Sequence, residues 1–537
     1  MAADARAEKS ARVVARAAAI IALGNIASRV LGLAREAVIA YLFGATGLVS
    51  IFRVASTIIQ SLYDFLVGGM VSAALVPIFS EYAARADKRE LWRVASIVIN
   101  CLALLLALAV LLLELFAPQL IIILGGGYDA ALQASAVEMI RLILPAIFFL
   151  GMSGVVTGLL YALQRPAYPA FTTAAYNLGI VVIALALTPL FGIASLIIGI
   201  IIGAALQVLL QLPGLRGMQY HFTLDFAHPA LRQILKLYFP VLAGLFISII
   251  GVFIDRYLAS YTGAQSLAWM QAATVLVQLP LGLVGTAISF AILPELSRQT
   301  KDDRQQTTEK NSKLPITNYE FTSTLAFGIK LVLLLILPAT VGLFILAHPI
   351  VALLFERGAF TAMDTAQTAL ALQFYLIGLP FAAIDQPLVF AFYARKNTLA
   401  PNLVAFAGVA VYVVVALALY RPLGFIGLVI ANSAQLTSHA VVMLWLTQTR
   451  LGGIGKQGIG ALLAKCALAS AAMGAVAAFS ANELARAGAN VFVAALAPII
   501  AASIVYLALM RALRVREAQQ VWRMIAAQVL TRTRRVV

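Results

Sequence analysis

The sequence predicts an all-α polytopic membrane protein of about fourteen transmembrane helices, with two six-helix repeats around a central cavity plus two C-terminal helices. Three observations carry this. Of the 537 residues, 62% are hydrophobic and 11% charged, against about 25% charged in soluble domains, and the mean hydropathy is +0.97. Apolar stretches long enough to cross about 30 Å of hydrocarbon recur along the whole chain. Lysine and arginine fall in alternate connecting segments, as the positive-inside rule requires.

The spans follow in order. After a mixed-charge stretch ending at Arg16, apolar runs are expected at 17–43, 50–79, 94–124, 136–162, 168–190 and 192–213. A polar linker, 214–233, separates these from runs at 234–260, 268–296, 323–347, 364–394, 400–420 and 424–448. Two more, 459–480 and 489–511, precede a basic tail over 512–537. An even number of spans puts both termini on one side. With that side cytoplasmic, only Arg357, Arg421 and Arg486 of the 38 Lys and Arg fall in outside loops. The expected segments are therefore a basic cytoplasmic N-terminus (1–16), an N-lobe (17–213), a cytoplasmic linker (214–233), a C-lobe (234–448), helices 13 and 14 (459–511) and a cytoplasmic tail.

Several function classes are disfavoured by the same chain. Cys101 and Cys466 both sit in apolar runs and give no disulfide framework. The histidines at 221, 228, 348 and 439 share no metal-ligand spacing. Gly452-Gly453-Ile454-Gly455-Lys456-Gln457 lacks the spacing and hydroxyl of a phosphate loop, so no ATP motor is expected. The apolar run after Arg16 continues past Arg29 and Arg35, which does not read as a cleavable leader. On an anionic membrane surface the basic tail is better read as a solvated segment than as a nucleic-acid arm.

The chain also resembles itself. Offset by 217, Gly68, Ser72, Ala74, Pro77 and Ser80 fall on Gly285, Ser289, Ala291, Pro294 and Ser297. Offset by 232, Tyr161, Ala162 and Pro169 fall on Tyr393, Ala394 and Pro401. Six helices is an even number, so the copies share one orientation, and repeat-built transporters bind substrate between their copies.

Charges inside spans cost about 2.5–3.5 kcal/mol each on insertion scales and usually face a cavity or a partner. The first span holds Arg29, Arg35 and Glu36; the second places Ser50, Arg53, Thr57, Gln60 and Asp64 on one helical face. Such a cationic face fits a phosphate, which arginine grips with a planar fork of donors. The alternative is that these charges neutralise one another and lock helices together. Asp255-Arg256, Asp385-Gln386 and the Asn432–Ser438 run add polar groups later in the chain, with Arg256, Lys330 and Lys465 expected to snorkel.

At Ser28-Arg29-Val30-Leu31-Gly32-Leu33-Ala34-Arg35-Glu36 and Tyr41-Leu42-Phe43-Gly44-Ala45 the sequence resembles the MurJ/MviN family of lipid II flippases. That family lies in the multidrug/oligosaccharidyl-lipid/polysaccharide exporter superfamily. The likeness continues through Leu75–Tyr82 and Gln278–Gly282, peaks at Pro349–Phe360, and reaches Pro422-Leu423-Gly424. It implies a transporter and not an enzyme, a multi-pass protein of the bacterial cytoplasmic (inner) membrane, and a monomer. The implied cargo is the undecaprenyl-pyrophosphate-linked muropeptide of peptidoglycan synthesis, moved by alternating access, and Arg29, Arg35 and Glu36 stand where the family has its first-helix arginines and following acid; with Arg53, Thr57 and Asp64 from the polar face of the second span, they are the expected binding residues. Thr57 and Val275 stand where the resemblance places family arginines. Asp255 and Asn432 occupy plausible ion-ligand positions, whereas Tyr412 and Ala416 supply poor replacements for side-chain oxygens, so coupling by sodium is not expected and another cation or the membrane potential stays open. Two other readings stay open at this point: a flippase or exporter for another polyprenyl-linked glycan or amphiphile, and a transport-inactive membrane scaffold.

Overall fold

In the computed structural model, residues 2–85, 87–308 and 317–519 are described. The basic tail beyond residue 519, the N-terminal side chains and the middle of the 297–322 loop lie outside them. The expected span 94–124 falls on two helices, and each of the fourteen falls on helical chain. They are α1 (Ala2–Phe43), α2 (Gly47–Ala83), α3 (Lys88–Leu115), α4 (Ala130–Ile143 with Ala146–Ala162), α5 (Thr172–Phe191), α6 (Ala194–Leu215) and α7 (Pro229–Ser260). Then come α8 (Ser266–Thr300), α9 (Thr317–Ile345), α10 (Ala362–Ala394), α11 (Leu399–Leu423), α12 (Phe425–Arg450), α13 (Ile459–Arg486) and α14 (Val491–Ala512). Among the described residues 11 helices are long and apolar enough to cross a membrane, or up to 13 when each bent pair in α4 and α7 is taken as one span. α1 is the remaining expected span.

Breaks in these helices have local causes. α4 bends by 41° at Pro145, and α7 by 45° just past Pro240. A proline ring removes one backbone donor and crowds the preceding turn, which bends a helix at that point. The expected span 94–124 is two helices, α3 and Ala117–Gly125, parted at Phe116 two residues before Pro118. α10 starts on a capping box: the Thr361 hydroxyl accepts from the Asp364 N–H while the Asp364 carboxylate accepts from the Thr361 N–H. This satisfies two donors that a helix start would otherwise leave bare.

The internal repeat is written into the backbone. Gln164 and Lys396, 232 apart, both adopt a left-handed conformation, at φ 57° and 60°. Gly192 and Gly424, again 232 apart, end α5 and α11 at φ 52° and 58°. Phe116 and Leu346 carry matching breaks at φ −94° and −95°. Within α2 a widened π turn covers Asp64–Gly68, and its counterpart in α8 covers Leu281–Thr286. That pair follows the 217 offset, with Gly68 matching Gly285. Chance likeness between glycine- and alanine-rich helices would not place left-handed residues and π turns at the same two offsets, 232 and 217, that the sequence repeat shows.

Two compact units divide the chain: Met1–Ala268 with Arg357–Phe360, and Trp269–Glu356 with Thr361–Val537. The first contains α1–α7. There α2 approaches α7 so closely at Gly69 that a Cβ would lie 2.7 Å from Leu245. The linker after α6 is tied to α3, where Asn100 donates to the carbonyls of His221 and Thr223 and accepts from the Tyr220 hydroxyl. In the second unit one core joins Phe321, Leu325 and Ile329 of α9 to Leu388 and Phe392 of α10 and Met443 of α12. Another joins Leu334 of α9 to Cys466 and Met473 of α13 and Tyr506 of α14, whose hydroxyl donates to the Leu334 carbonyl at 2.7 Å. Lys330 and Lys465 do not simply snorkel. Lys330 pairs with Glu517 at 3.0 Å and Lys465 donates to the Leu513 carbonyl, so both fasten the segment that leaves α14.

Candidate anion site in the first unit

Three helices converge on Glu36, which is only 3% exposed. On α1 the adjacent Arg35 wraps back so that Nε and Nη2 donate to Glu36 Oε1 at 3.2 and 2.7 Å. From α2, Arg53 donates through Nη1 to Oε1 at 3.2 Å and through Nη2 to Oε2. On α5, Asn177 accepts from Arg35 Nη1 at 3.0 Å and donates to the Ser28 carbonyl at 3.1 Å. A buried carboxylate needs this many donors, because loss of hydration costs an ion several kcal/mol.

A third guanidinium extends the cluster. Arg256 on α7 donates through Nε to the Thr57 hydroxyl at 3.2 Å and through Nη1 to Asp255 at 2.9 Å. Its side chain is 18% exposed and turned into the unit; snorkelling, the expectation from sequence, is not what it does. Its neighbour Asp255 supplies the counter-charge that makes the inward position tolerable. Three arginines therefore face two carboxylates, leaving one positive charge in excess. Arg53 Nε is buried with no hydrogen-bond partner. An unsatisfied buried donor on a cation marks a place where an acceptor is wanted.

Of the residues singled out from sequence, Arg35, Glu36, Arg53 and Thr57 come together here. Arg29 is half-buried on α1, nearly two turns before Arg35. Asp64 does not pair with Arg53: it accepts from Gln60 at 3.0 Å at the start of the π turn. Asp255 belongs to the first unit and Asn432 to the second. Val275 sits on α8 beside Thr274, whose hydroxyl is turned back to the Met270 carbonyl. Arg256 and Asn177 were missed as members of the cluster. Both are more than 140 residues from Arg35 or Thr57 along the chain, and only the Asp255-Arg256 dipeptide inside an apolar run gave a hint.

Also in the first unit, around Asn25 and Ser28 of α1, lies a cavity of about 240 Å³, linked to the cluster through Ser28, whose carbonyl accepts from Asn177. Its wall is polar but uncharged, with Tyr63, Thr157, Thr172 and Gln207. The first unit thus combines a cationic patch with a neutral wall of hydroxyls and amides, which suits an anionic group carrying a polar neutral substituent.

The chain is 29% identical over 427 residues to a probable lipid II flippase MurJ of Vibrio cholerae, covering 77% of this chain and 79% of that one. A lipid II flippase MurJ of Burkholderia cenocepacia is 28% identical over 391 residues, covering 71% and 73%. A solved lipid II flippase MurJ in an inward closed conformation superposes with a TM-score of 0.76 at 26% identity, over 92% of this chain and 99% of that one. An inward-facing multidrug transporter of the MATE family shares the fold, at TM-score 0.60 and 16% identity over 80% and 96% of the two chains. The family model described as lipid II flippase MurJ matches residues 39–500. The chain belongs to the lipid II flippase MurJ family.

Proposed function

We propose that this protein flips lipid II, the pyrophosphate-linked peptidoglycan precursor, across the bacterial cytoplasmic membrane by alternating access. The observation that carries the reading is the excess charge around Glu36: Arg35, Arg53 and Arg256 against Glu36 and Asp255, with Arg53 Nε unpartnered. A pyrophosphate is a natural ligand for such a patch, since guanidinium forks match its oxygens. The repeat supports alternating access, because two like-oriented copies can rock about a shared site. In this reading the lobes are the repeats 17–213 and 234–448, the protein acts as a monomer, and coupling draws on a cation other than sodium or on the membrane potential. Complementation tests the function. Expression in a bacterium depleted of its own lipid II flippase is expected to restore growth; lysis despite normal membrane abundance would overturn the reading.

Both termini and the 297–322 loop are cytoplasmic in this reading, with Arg357 and Arg421 outside. Single cysteines at these positions, treated with an impermeant thiol reagent in intact cells, are expected to label at 357 and 421 and not at Lys310. Labelling at 310 from outside would break the fourteen-helix frame.

A further inference from the structure

A second buried charge pair lies in the other unit. Asp385 on α10 and His439 on α12 are 15% and 16% exposed, with Oδ1 and Nδ1 2.9 Å apart. The approach is close but poorly aligned, so neither atom completes a good hydrogen bond. The imidazole also meets the backbone of Pro401, which can only accept because proline has no N–H. A carboxylate and a carbonyl, both acceptors, thus face the ring, an arrangement that an imidazole protonated on both nitrogens satisfies. Glu295 and Arg298 of α8 bind each other, Lys330 of α9 binds Glu517, Tyr393 of α10 lies within electrostatic reach of Asp385, and Tyr412 of α11 is buried.

The carboxylate stands where α10 is weakest. Pro387, two residues on, leaves the Ala383 carbonyl without its helical donor, and Pro380, about two turns before it, does the same to the Leu376 carbonyl. Against that freed carbonyl lies Gly285 in the π turn of α8, where a Cβ would be 3.4 Å from the Ala383 oxygen. π turns inside long helices concentrate at functional sites. Bending of α10 at this joint would draw Asp385 away from His439.

We propose that Asp385 and His439 form a proton-binding site, filled while α10 lies against α12 and emptied when α10 bends at Pro387. Filling moves one proton from water to the imidazole, giving imidazolium against carboxylate; emptying returns that proton to water and leaves a neutral ring. The pair thereby links the conformation of the second unit to pH, independently of which anion the first unit binds. A helix lock alone would hold α10 to α12 at every pH.

The full-length chain, Asp385→Asn and His439→Gln are reconstituted in phosphatidylethanolamine/phosphatidylglycerol vesicles. Deuterium exchange in α10–α12 peptides is followed from about pH 5 to about pH 8, the range in which histidine changes charge, after correction for the intrinsic chemical rate. The parent is expected to show a one-site transition of up to about tenfold, the factor carried by each unit of difference in proton affinity between two conformations. Both variants are expected to be flat. A flat parent, a transition that survives in either variant, or one that follows sodium instead of pH overturns the proposal. Asp385→Asn is close in shape, and His439→Gln keeps the test alive if one variant misfolds. Binding of a polyprenyl pyrophosphate, measured on the same vesicles, is expected to be unchanged in both variants; its absence from all three proteins would count against the flippase reading and leave the proton result standing.

Discussion

Arg53→Ala is expected to strip binding of pyrophosphate lipids and to lower the amount of folded protein, and the two losses can be separated. Among the described residues Arg53 alone donates to Glu36 Oε2, and Glu36 is 3% exposed. Removing one partner of a buried ion pair leaves the other uncompensated, at a cost of about 3–5 kcal/mol. A second change, Glu36→Ala, removes that stranded carboxylate while Arg35 keeps its contact with Asn177. The double variant is therefore expected to recover membrane abundance. Binding is not expected to recover, because a charge-assisted contact is worth about 1.5–3 kcal/mol, roughly ten- to a hundredfold in affinity. Arg53→Lys keeps the charge and loses the fork, so an intermediate affinity is expected if the ligand is held by two parallel bonds. Normal lipid binding by an abundant Arg53→Ala/Glu36→Ala protein would remove Arg53 from the site.

Gly203→Leu should disturb the same site from behind. α5 and α6 touch through glycines: a Cβ on Gly203 would lie 2.6 Å from the Tyr176 carbonyl oxygen, and one on Gly179 would lie 2.8 Å from the Gly203 Cα. These neighbours are backbone and cannot rotate away. A leucine must push α5 off α6, and overpacking of a tight contact typically costs about 1–3 kcal/mol. Tyr176 precedes Asn177, the residue that ties Arg35 to Ser28, so the displacement reaches the anion site directly. Thermal unfolding in detergent is expected at a lower temperature than the parent, with weaker lipid binding. Gly460→Leu, where nothing lies within 4 Å of the added carbon, is the control. A Gly203→Leu protein melting with that control would show that the α5–α6 contact has room to give.

The helices were legible because a bilayer imposes length and hydropathy on every span, a constraint stated locally in the sequence. The repeat was legible because Pro77 and Pro294, or Gly68 and Gly285, serve the same local backbone in each copy. Arg35 and Glu36 were legible as neighbours on one helix. What stayed hidden was which distant residue completes each contact. Arg53 has Asp64 on its own helical face, yet it pairs with Glu36 on α1. Arg256 resembled an interfacial cation until α7 was seen to pack within the first unit, bringing it to Thr57 across 199 positions of chain. Tertiary packing decides such partners, and no helical periodicity contains it. The break at Phe116 could have been anticipated from Pro118, which favours the start of a new helix over the continuation of an old one.

Glu36 has one more consequence. Under the proposed reading, in which Arg35 and Arg53 hold the cargo, Glu36 occupies both from within the chain and acts as a resident competitor for the arriving anion. Capture is then an exchange of one carboxylate for one phosphate, and net affinity is a difference between two strong interactions instead of the sum of several. An exchange of this kind keeps the arginines ordered while the site is empty, so little side-chain freedom is lost on loading. It also provides a way out, because the returning carboxylate displaces the cargo as it re-forms its own bonds. Rapid turnover and modest equilibrium affinity are the behaviour expected of such an exchange.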